Sequence, residues 1–239
     1  MKYTAFTCLL FLITSSVFSQ SPLADPFIPD NERISYSITT GKETTHALQT
    51  VSREATEDGR FWYKVVLSSP EQDIEVDILT ETLIPYRSRK VQKTGRTEYT
   101  TWSEIQVAPA VKDDEILLVD FNDLSHILRG YPFSEPRTLN LVFPYNPENN
   151  GDKKDSISFR VKYIKEENLE IGNQSYMAHK LQLAFKMTGG LALFSGMVPK
   201  TFFWYSVENP HYLLKYEGSS GMGNSEKIIM EIESYEIGG

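Results

Sequence analysis

Residues 201–218 read TFFWYSVENPHYLLKYEG, and this stretch decides the fold. Two runs rich in aromatic and aliphatic residues flank ENPH, which has the composition of a hairpin loop. Antiparallel pairing about that loop places only apolar residues opposite each other on one face: Val207 with Tyr212, Tyr205 with Leu214, and Phe203 with Tyr216. On the other face Trp204 meets Lys215, which permits a cation–π contact. The first face is predicted to be core, and the second to be a half-buried outer wall or the lining of a cavity.

The same alternation of apolar and polar residues recurs along most of the chain. Further rows with a period of two run through residues 34–38, 61–67, 74–78, 157–163, 177–183 and 228–232. Turn signals that contain Gly or Asn separate several of these rows. The pattern predicts an all-β, mainly antiparallel fold, in which a strongly curved sheet forms a half-barrel or a barrel.

One segment breaks this alternation. Apolar residues with helical spacing lie between Asp120 and Gly130: Phe121, Leu124, Ile127 and Leu128. Asp120 or Asn122 is suited to start a helix there and Gly130 to end it, so we expect one helix of about ten residues. The proline-rich stretch 131–147 is the best candidate for a crossover between two β-subregions.

The N-terminal stretch has the layout of a secretory signal peptide. Lys2 is followed by an apolar core, and Val17 and Ser19 are the small residues that precede a cleavage site. The apolar run is shorter than the roughly 20 residues that a membrane span needs. We expect residues 1–19 to be removed by cleavage between Ser19 and Gln20, which leaves a single exported, periplasmic domain over residues 20–239.

The composition excludes several classes of function. Hydrophobic residues make up 40% and charged residues 23%, which is typical of a globular protein. The net charge of −8 without a basic tract argues against binding to nucleic acid or to anionic lipid. The only cysteine, Cys8, lies in the signal segment with too short an apolar run before it for lipidation. The exported chain would therefore have no disulfide, thiol nucleophile or Cys-ligated metal.

A row of carboxylates invites interpretation as a cation site. Its members share one face of a strand: Glu71, Asp73, Glu75 and Asp77. A turn centred on Thr82 would pair the row with bases on the next strand: Asp77 with Arg87, Glu75 with Arg89, and Glu71 with Lys93. Such cross-strand pairs contribute roughly 0.2–1 kcal/mol each. The pattern therefore favours a solvated face of alternating charge over a metal site.

The sequence offers no recognisable catalytic set. Four histidines lack the spacing of metal ligands: His46, His126, His179 and His211. There is no G-x-S-x-G elbow. The glycine-rich segment 218–223 matches neither a phosphate-binding loop nor a dinucleotide fingerprint, and we interpret it as a flexible hairpin loop. We predict no catalytic residue, no metal and no cofactor, although a pair of hydrolytic carboxylates stays open because Asp and Glu total 32.

The segment TGGLALFSGMVP, residues 188–199, joins two β-rows and is unusually apolar. Loops are normally polar and superficial. This one either tucks into the core or acts as a mobile lid or a contact for an apolar ligand or membrane. The candidate ligand-binding residues are its apolar side chains and two aromatic residues of the strand that follows: Leu191, Leu193, Phe194, Met197, Val198, Phe202 and Trp204.

A family resemblance covers the chain from Leu124 to the C-terminus. The matching stretches are LSHILRG at 124–130, GNQSYMAHKL at 172–181, FWYS at 203–206 and LKYEG at 214–218. They resemble an uncharacterised family of exported bacterial β-proteins, a domain of unknown function grouped with the LolA/LolB-like outer-membrane lipoprotein carriers. The resemblance implies a curved antiparallel sheet that encloses an apolar cavity, in the envelope of a Gram-negative bacterium. It carries over no catalytic residue.

The leading hypothesis is a periplasmic, non-enzymatic protein that binds an apolar small molecule, a lipid or an envelope component, as a carrier or sensor. The alternative is an envelope structural or interaction protein without a small ligand. Such a protein would dock an envelope partner through an exposed strand edge or the charged hairpin 71–93. An envelope hydrolase is the third hypothesis. The sequence does not indicate an oligomeric state.

Overall fold

The structure is a computed structural model that describes residues 23–56, 59–93, 95, 97–101, 116–118, 122–144, 156–185, 200–219 and 226–238. The expected signal peptide, Cys8 and the apolar side chains of residues 188–199 lie outside these ranges. In the described part the chain forms thirteen strands: β1 (Glu32–Thr40), β2 (Glu43–Ala55), β3 (Phe61–Ser68), β4 (Gln72–Leu79), β5 (Pro85–Gln92), β6 (Thr97–Thr101), β7 (Ile116–Leu118), β8 (Leu139–Pro144), β9 (Ser156–Ile171), β10 (Gln174–Phe185), β11 (Thr201–Ser206), β12 (Leu213–Ser219) and β13 (Lys227–Ile237). A short helix, α1 (Leu124–Ile127), continues into a 3-10 turn, Leu128–Gly130.

All thirteen strands belong to one sheet. From one edge to the other their order is β6, β5, β4, β3, β2, β1, β13, β12, β11, β10, β9, β8, β7. Every neighbouring pair is antiparallel except β7 and β8. The edge strands β6 and β7 do not pair with each other, so the sheet is open. The prediction of a mainly antiparallel, strongly curved sheet with one short helix is confirmed, and of the two predicted forms, half-barrel and barrel, the open sheet is the half-barrel.

The period-two rows become the two faces of this sheet. In β1, Ile34 and Tyr36 are fully buried, whereas Ser35 and Ser37, which alternate with them, are half-buried on the other side. We call the face that carries Ile34 and Tyr36 the inner face and the opposite one the outer face. Bulges interrupt four of the pairings, and in the pairing of β1 with β13 the extra residue is Glu233 of β13, opposite the step from Ser35 to Tyr36. Because a bulge bends a strand and increases its twist, these positions favour curvature of the sheet.

The helix is shorter than the ten residues predicted. Its N-cap is Asp123, rather than Asp120 or Asn122, and the Asp123 side chain makes no capping hydrogen bond. After one α-turn the chain tightens and ends at Gly130, as predicted. Tertiary contacts replace further helical hydrogen bonds, because the carbonyl of Gly130 accepts a hydrogen bond from the Ala24 amide at 3.0 Å.

The crossover also differs from the prediction. Strands β1 to β6 run outward to one edge, and β7 to β13 return from the opposite edge until β13 pairs with β1. The two runs are therefore joined between Thr101 and Ile116, not within 131–147. The described part of that proline-rich stretch instead leads from the 3-10 turn into β8, within the connection between the parallel strands β7 and β8. Parallel neighbours need such a crossover, and a helix commonly supplies it.

The core lies between the inner face and two segments that cover it. One is α1 with its 3-10 turn, in which Leu124, Ile127 and Leu128 are buried. The other is the segment that precedes β1, residues 23–31, which we call the lead-in. It is fixed to the sheet because the Ile28 amide donates a hydrogen bond to the Tyr63 hydroxyl at 3.1 Å. That hydroxyl in turn donates to a carboxylate oxygen of Asp25 at 2.6 Å.

The charged hairpin β4–β5 has the predicted register, with Asp77 opposite Arg87 and Glu75 opposite Arg89. The Lys93 amide bonds to the Glu71 carbonyl, but the Lys93 ammonium contacts Asp73 at 3.1 Å instead of the Glu71 side chain. Asp77 also departs from the expected solvated face, because it is 1% exposed and forms an ion pair with Arg87. Burial raises the pKa of Asp77, although the positive charge of Arg87 acts to lower it.

The hairpin β11–β12 pairs Phe203 with Tyr216 and Trp204 with Lys215, as predicted. The expected pair of Tyr205 with Leu214 is wrong by one residue, since Tyr205 lies opposite Leu213. The reason is a bulge after Trp204, which no period-two argument anticipates.

Candidate ligand-binding face

Two of the seven predicted ligand-binding residues lie in the described part of the chain. Phe202 and Trp204 are on β11, and they point to the outer face because the register connects Phe203 between them to Ile38 on the inner face. The other five, Leu191, Leu193, Phe194, Met197 and Val198, lie outside the described residues, so their contact with a ligand stays a prediction.

Lysines and a carboxylate cover the two aromatic rings. The Lys180 ammonium lies 4.8 Å from the centre of the Phe202 ring and 4.5 Å from that of Trp204. The predicted cation–π contact of Lys215 with Trp204 is present at 5.8 Å. The Trp204 indole N–H donates to Glu167 at 2.8 Å, and the side chain is 5% exposed. Phe202 is half-buried and Trp204 is buried on this side of the sheet, and their contact with a ligand stays a prediction.

Glu167 is the ionic centre of this cluster. Burial alone would raise its pKa, but hydrogen bonds from Lys165 and Trp204, with the charge of Lys180, lower the pKa to about 2. The carboxylate therefore stays ionised over the physiological range and holds the indole N–H in place.

The inner face carries a different surface away from α1. Register places an entirely apolar row across five neighbouring strands, from β1 to β10: Ile38, Met230, Tyr216, Phe203 and Leu181. We call this set the apolar row. Phe203 and Leu181 are buried, whereas the other three are half-buried. Met230 and Tyr216 pack against the core, so their exposed portions form its apolar border.

Gly218 shapes this surface. A Cβ atom at Gly218 would lie 2.2 Å from the Tyr216 hydroxyl oxygen and 2.6 Å from its Cζ. The absence of a side chain therefore lets the Tyr216 ring lie along its own strand. Tyr216 also makes an edge contact with Phe203, with ring centres 5.2 Å apart. A second aromatic pair, Phe159 with Phe185, extends the apolar surface at 4.4 Å.

A buried ion pair that the sequence analysis missed fixes the covering segment to the sheet. The two terminal guanidinium nitrogens of Arg129 donate to the two carboxylate oxygens of Glu32 at 2.6 and 2.8 Å. The third nitrogen, Nε, donates to the Pro210 carbonyl at 3.0 Å. Both side chains are at most 1% exposed. Burial alone would lower the pKa of Arg129, but Glu32 outweighs it and raises the pKa.

Two histidines that are far apart in sequence meet on the inner side of the sheet. His179 stacks on Phe133 at 4.3 Å, and His211 contacts the same ring edge-on at 4.8 Å. The centres of the two imidazoles are 5.8 Å apart. Burial lowers the pKa of both, and the proximity of His211 adds to the effect on His179. Only the fold brings these residues together, so no sequence spacing could indicate the cluster.

The described residues contain no group of three or more His, Cys, Asp or Glu side chains arranged to hold a metal ion. No helix in the same ranges has the length and apolarity to cross a membrane.

No protein-family model and no curated protein matches this chain. Among solved structures, the chain is similar to a beta-barrel-like protein of unknown-function domain DUF1849 from Brucella abortus. The identity is 7% over 91% of this chain and 100% of that one, with a TM-score of 0.42. It is also similar to a protein with a YmcC-like fold from Bacteroides fragilis, at 12% identity over 87% of this chain and 96% of the other, with a TM-score of 0.32.

A third similar structure is an outer membrane lipoprotein-sorting protein domain from Vibrio parahaemolyticus. The identity is 9%, the coverage is 87% of this chain and 85% of that one, and the TM-score is 0.26. These are the kinds of protein that the sequence resemblance names.

Proposed function

We propose that this is an exported, non-enzymatic protein that binds an apolar ligand, or the apolar part of an envelope component, on the inner face of its half-barrel. The observation that carries the proposal is the apolar row, whose half-buried members Ile38, Met230 and Tyr216 are direct neighbours on three adjacent strands. A ligand that covers such a surface gains roughly 25 cal/mol per Å² of apolar area removed from water.

The outer face supports the same assignment by contrast. There, register aligns charged groups across the same strands, and the Lys215 ammonium pairs with Glu231 at 2.6 Å. An apolar molecule on that side would have to displace ion pairs and cation–π contacts. The predicted contacts of the 188–199 segment remain part of the proposal, because this segment follows Phe185 at the end of β10 nearest the apolar row.

Native mass spectrometry of the protein purified from a bacterial periplasm, with organic extraction of the same sample, tests the proposal. We expect a bound mass that extracts as an apolar molecule, on a chain that begins at Gln20. A clean mass of the polypeptide alone would contradict ligand binding. The alternative of an interaction protein that docks through a strand edge would then lead.

A matched pair of variants locates the binding surface. Met230→Gln places an amide on the inner face, whereas Ile229→Gln places the same amide on the outer face of the same strand at a similarly half-buried position. With the uncharged fluorescent probe N-phenyl-1-naphthylamine, Met230→Gln should weaken binding about tenfold, equivalent to about 1.4 kcal/mol. Ile229→Gln should leave binding unchanged. Equal effects of the two variants would place the probe elsewhere.

A further inference from the structure

A small recess on the inner face has a composition unlike the rest of the core. It lies between α1 and strands β2 to β4, and apolar side chains of β3 and β4, Leu67 among them, form one side. Polar side chains form the other, including Gln49, Asp123 and His126. Its volume is about 10 Å³, close to the smallest space that holds one water molecule. The recess therefore accommodates one small polar group.

His126 lines this recess with a buried imidazole that needs hydrogen-bond partners. The side chain is 2% exposed, and neither ring nitrogen has a hydrogen-bond partner within the described ranges. Buried polar side chains are nearly always hydrogen-bonded, because an unmade hydrogen bond loses the hydration of the group without replacement. Among the described residues, the His126 ring makes an edge contact with Tyr63, at 5.9 Å between centres.

The protonation state of His126 defines what that partner must be. Burial lowers the pKa of the imidazole well below its usual 6.5, and the charge of Arg129 lowers it further. The ring is therefore neutral at physiological pH, with one nitrogen as donor and the other as acceptor. A hydroxyl group matches this demand, because it donates one hydrogen bond and accepts two.

Gln49 is the second polar residue considered in the recess. It lies at an inward position of β2, where the alternating pattern predicts an apolar residue. In β2 the inward positions are Ala47, Gln49 and Val51, and all three are buried. The amide of Gln49 supplies both a donor and an acceptor to the recess. Strand β2 and the α1 segment thus present hydrogen-bonding groups to the same small volume.

The surrounding charges favour an uncharged group. The carboxyl group of Asp123 lines the recess and is 1% exposed, which disfavours an anion. A cation in so small and enclosed a space would lose its hydration, which is costly unless the charge is fully paired. A neutral hydroxyl avoids both penalties.

The recess and the apolar row lie on the same face. Gln49 on β2 and Met230 on β13 are separated by β1 alone, which pairs with both strands. With about 4.8 Å between strands and about 3.3 Å per residue, the two sites are roughly 16 Å apart. One elongated molecule spans both sites by displacing part of the covering segments, because the fully buried Ile34 and Tyr36 of β1 lie along the path.

We propose that the recess beside His126 and Gln49 holds the hydroxyl group of an uncharged hydroxylated amphiphile, such as a long-chain alcohol, whose apolar part lies on the inner face. This inference rests on the proposed function and specifies its ligand class.

Displacement of N-phenyl-1-naphthylamine by dodecan-1-ol, dodecanoate and dodecylammonium tests the specificity at constant chain length. We expect the alcohol to bind at least tenfold more tightly than either charged analogue. His126→Phe and Gln49→Leu should each reduce this preference to less than threefold while the fluorescent probe still binds. Thr50→Leu, on the outer face of the same strand, is the matched control and should keep the wild-type preference.

Each other outcome has a defined meaning. Equal binding of the three compounds, or a preference that survives both His126→Phe and Gln49→Leu, would overturn the hydroxyl site and leave the proposed function standing. Failure of the probe and all three compounds to bind would overturn the proposed function itself. Gln49→Leu keeps the test decisive if His126→Phe does not fold, because it adds an apolar residue at an inward strand position.

Discussion

Arg129 and Glu32 show how a single pair of residues joins distant parts of the chain. Arg129 lies in the 3-10 turn that covers the inner face, and Glu32 begins β1. The guanidinium uses all three nitrogens, two on Glu32 and one on the Pro210 carbonyl of the β11–β12 hairpin. Such a pair offsets the cost of burying its own charges mainly when every hydrogen bond is made. Removal of one partner is therefore more damaging than removal of both.

We expect Arg129→Met to lower the free energy of unfolding by about 3–5 kcal/mol, because it leaves the Glu32 carboxylate buried without a counter-charge. The double variant Arg129→Met/Glu32→Leu should lose less than Arg129→Met alone. Urea denaturation monitored by tryptophan fluorescence measures both.

Lys93→Met is the control for the loss of an ion pair at the surface. Lys93 and Asp73 are each more than 40% exposed, so this change should cost at most about 1 kcal/mol. If Arg129→Met were no more destabilising than Lys93→Met, the buried pair would not stabilise the fold.

At the scale of elements, the lead-in, the 3-10 turn and the β4–β5 connection pack around Gly130. A Cβ atom at Gly130 would lie 2.3 Å from the Ala24 carbonyl oxygen and 2.2 Å from Cδ1 of Leu83. The residue is a glycine because two other segments occupy the space of a side chain. This close approach fixes the lead-in across the inner face, where Leu23 and Ile28 are buried.

Gly130→Ala should therefore destabilise the protein by about 3 kcal/mol, at the upper end of the range for overpacking, because the Ala24 carbonyl is backbone. Gly172→Ala is the matched control, since it has open space around it but a φ of +58°. It should cost only about 1–2 kcal/mol of conformational strain. Denaturation midpoints measure both variants. A smaller loss for Gly130→Ala than for Gly172→Ala would contradict the close packing of the lead-in.

At the scale of the whole molecule, buried histidines link stability to pH. The pKa values of His126, His179 and His211 are all lowered by burial. Between each lowered value and the usual 6.5, the unfolded chain binds more protons than the folded one. The stabilisation is therefore complete above about pH 6.5 and is lost progressively as the pH falls below it.

We expect the free energy of unfolding to decrease between pH 7 and pH 5, with a slope of at most about 1.4 kcal/mol per pH unit for each histidine. His179→Gln should reduce the slope, because it removes one of the titrating groups beside Phe133. The comparison uses urea denaturation at several pH values.

His46→Gln controls for the loss of a histidine as such, because the His46 side chain is 69% exposed. The slope of this variant is the reference with which that of His179→Gln is compared. A slope in His179→Gln equal to that of the wild type would show that the His179–Phe133–His211 cluster does not couple folding to pH.

Local sequence rules were enough to predict the strands and much of the register with which neighbouring strands pair. Alternation of apolar residues predicted the strands, and opposite charges predicted Asp77 opposite Arg87. The same rules failed at the bulge after Trp204 and at the length of α1. Both failures arise where contacts with other segments override the local preference, because a bulge or a tight turn is selected by what it packs against.

The sequence by itself determined which segments form most of the strands, which residues share each strand face, and where the single helical segment lies. These follow from the period of the apolar residues and from turn chemistry, which are local properties. Only the tertiary structure decided that Phe202 and Trp204 lie on the outer face beneath lysine side chains, and that β13 pairs with β1. It alone placed His126 in a polar recess and Arg129 on Glu32. Such groupings join residues far apart in sequence, 97 positions in the case of Arg129 and Glu32, and no local pattern records which distant segments will share a face.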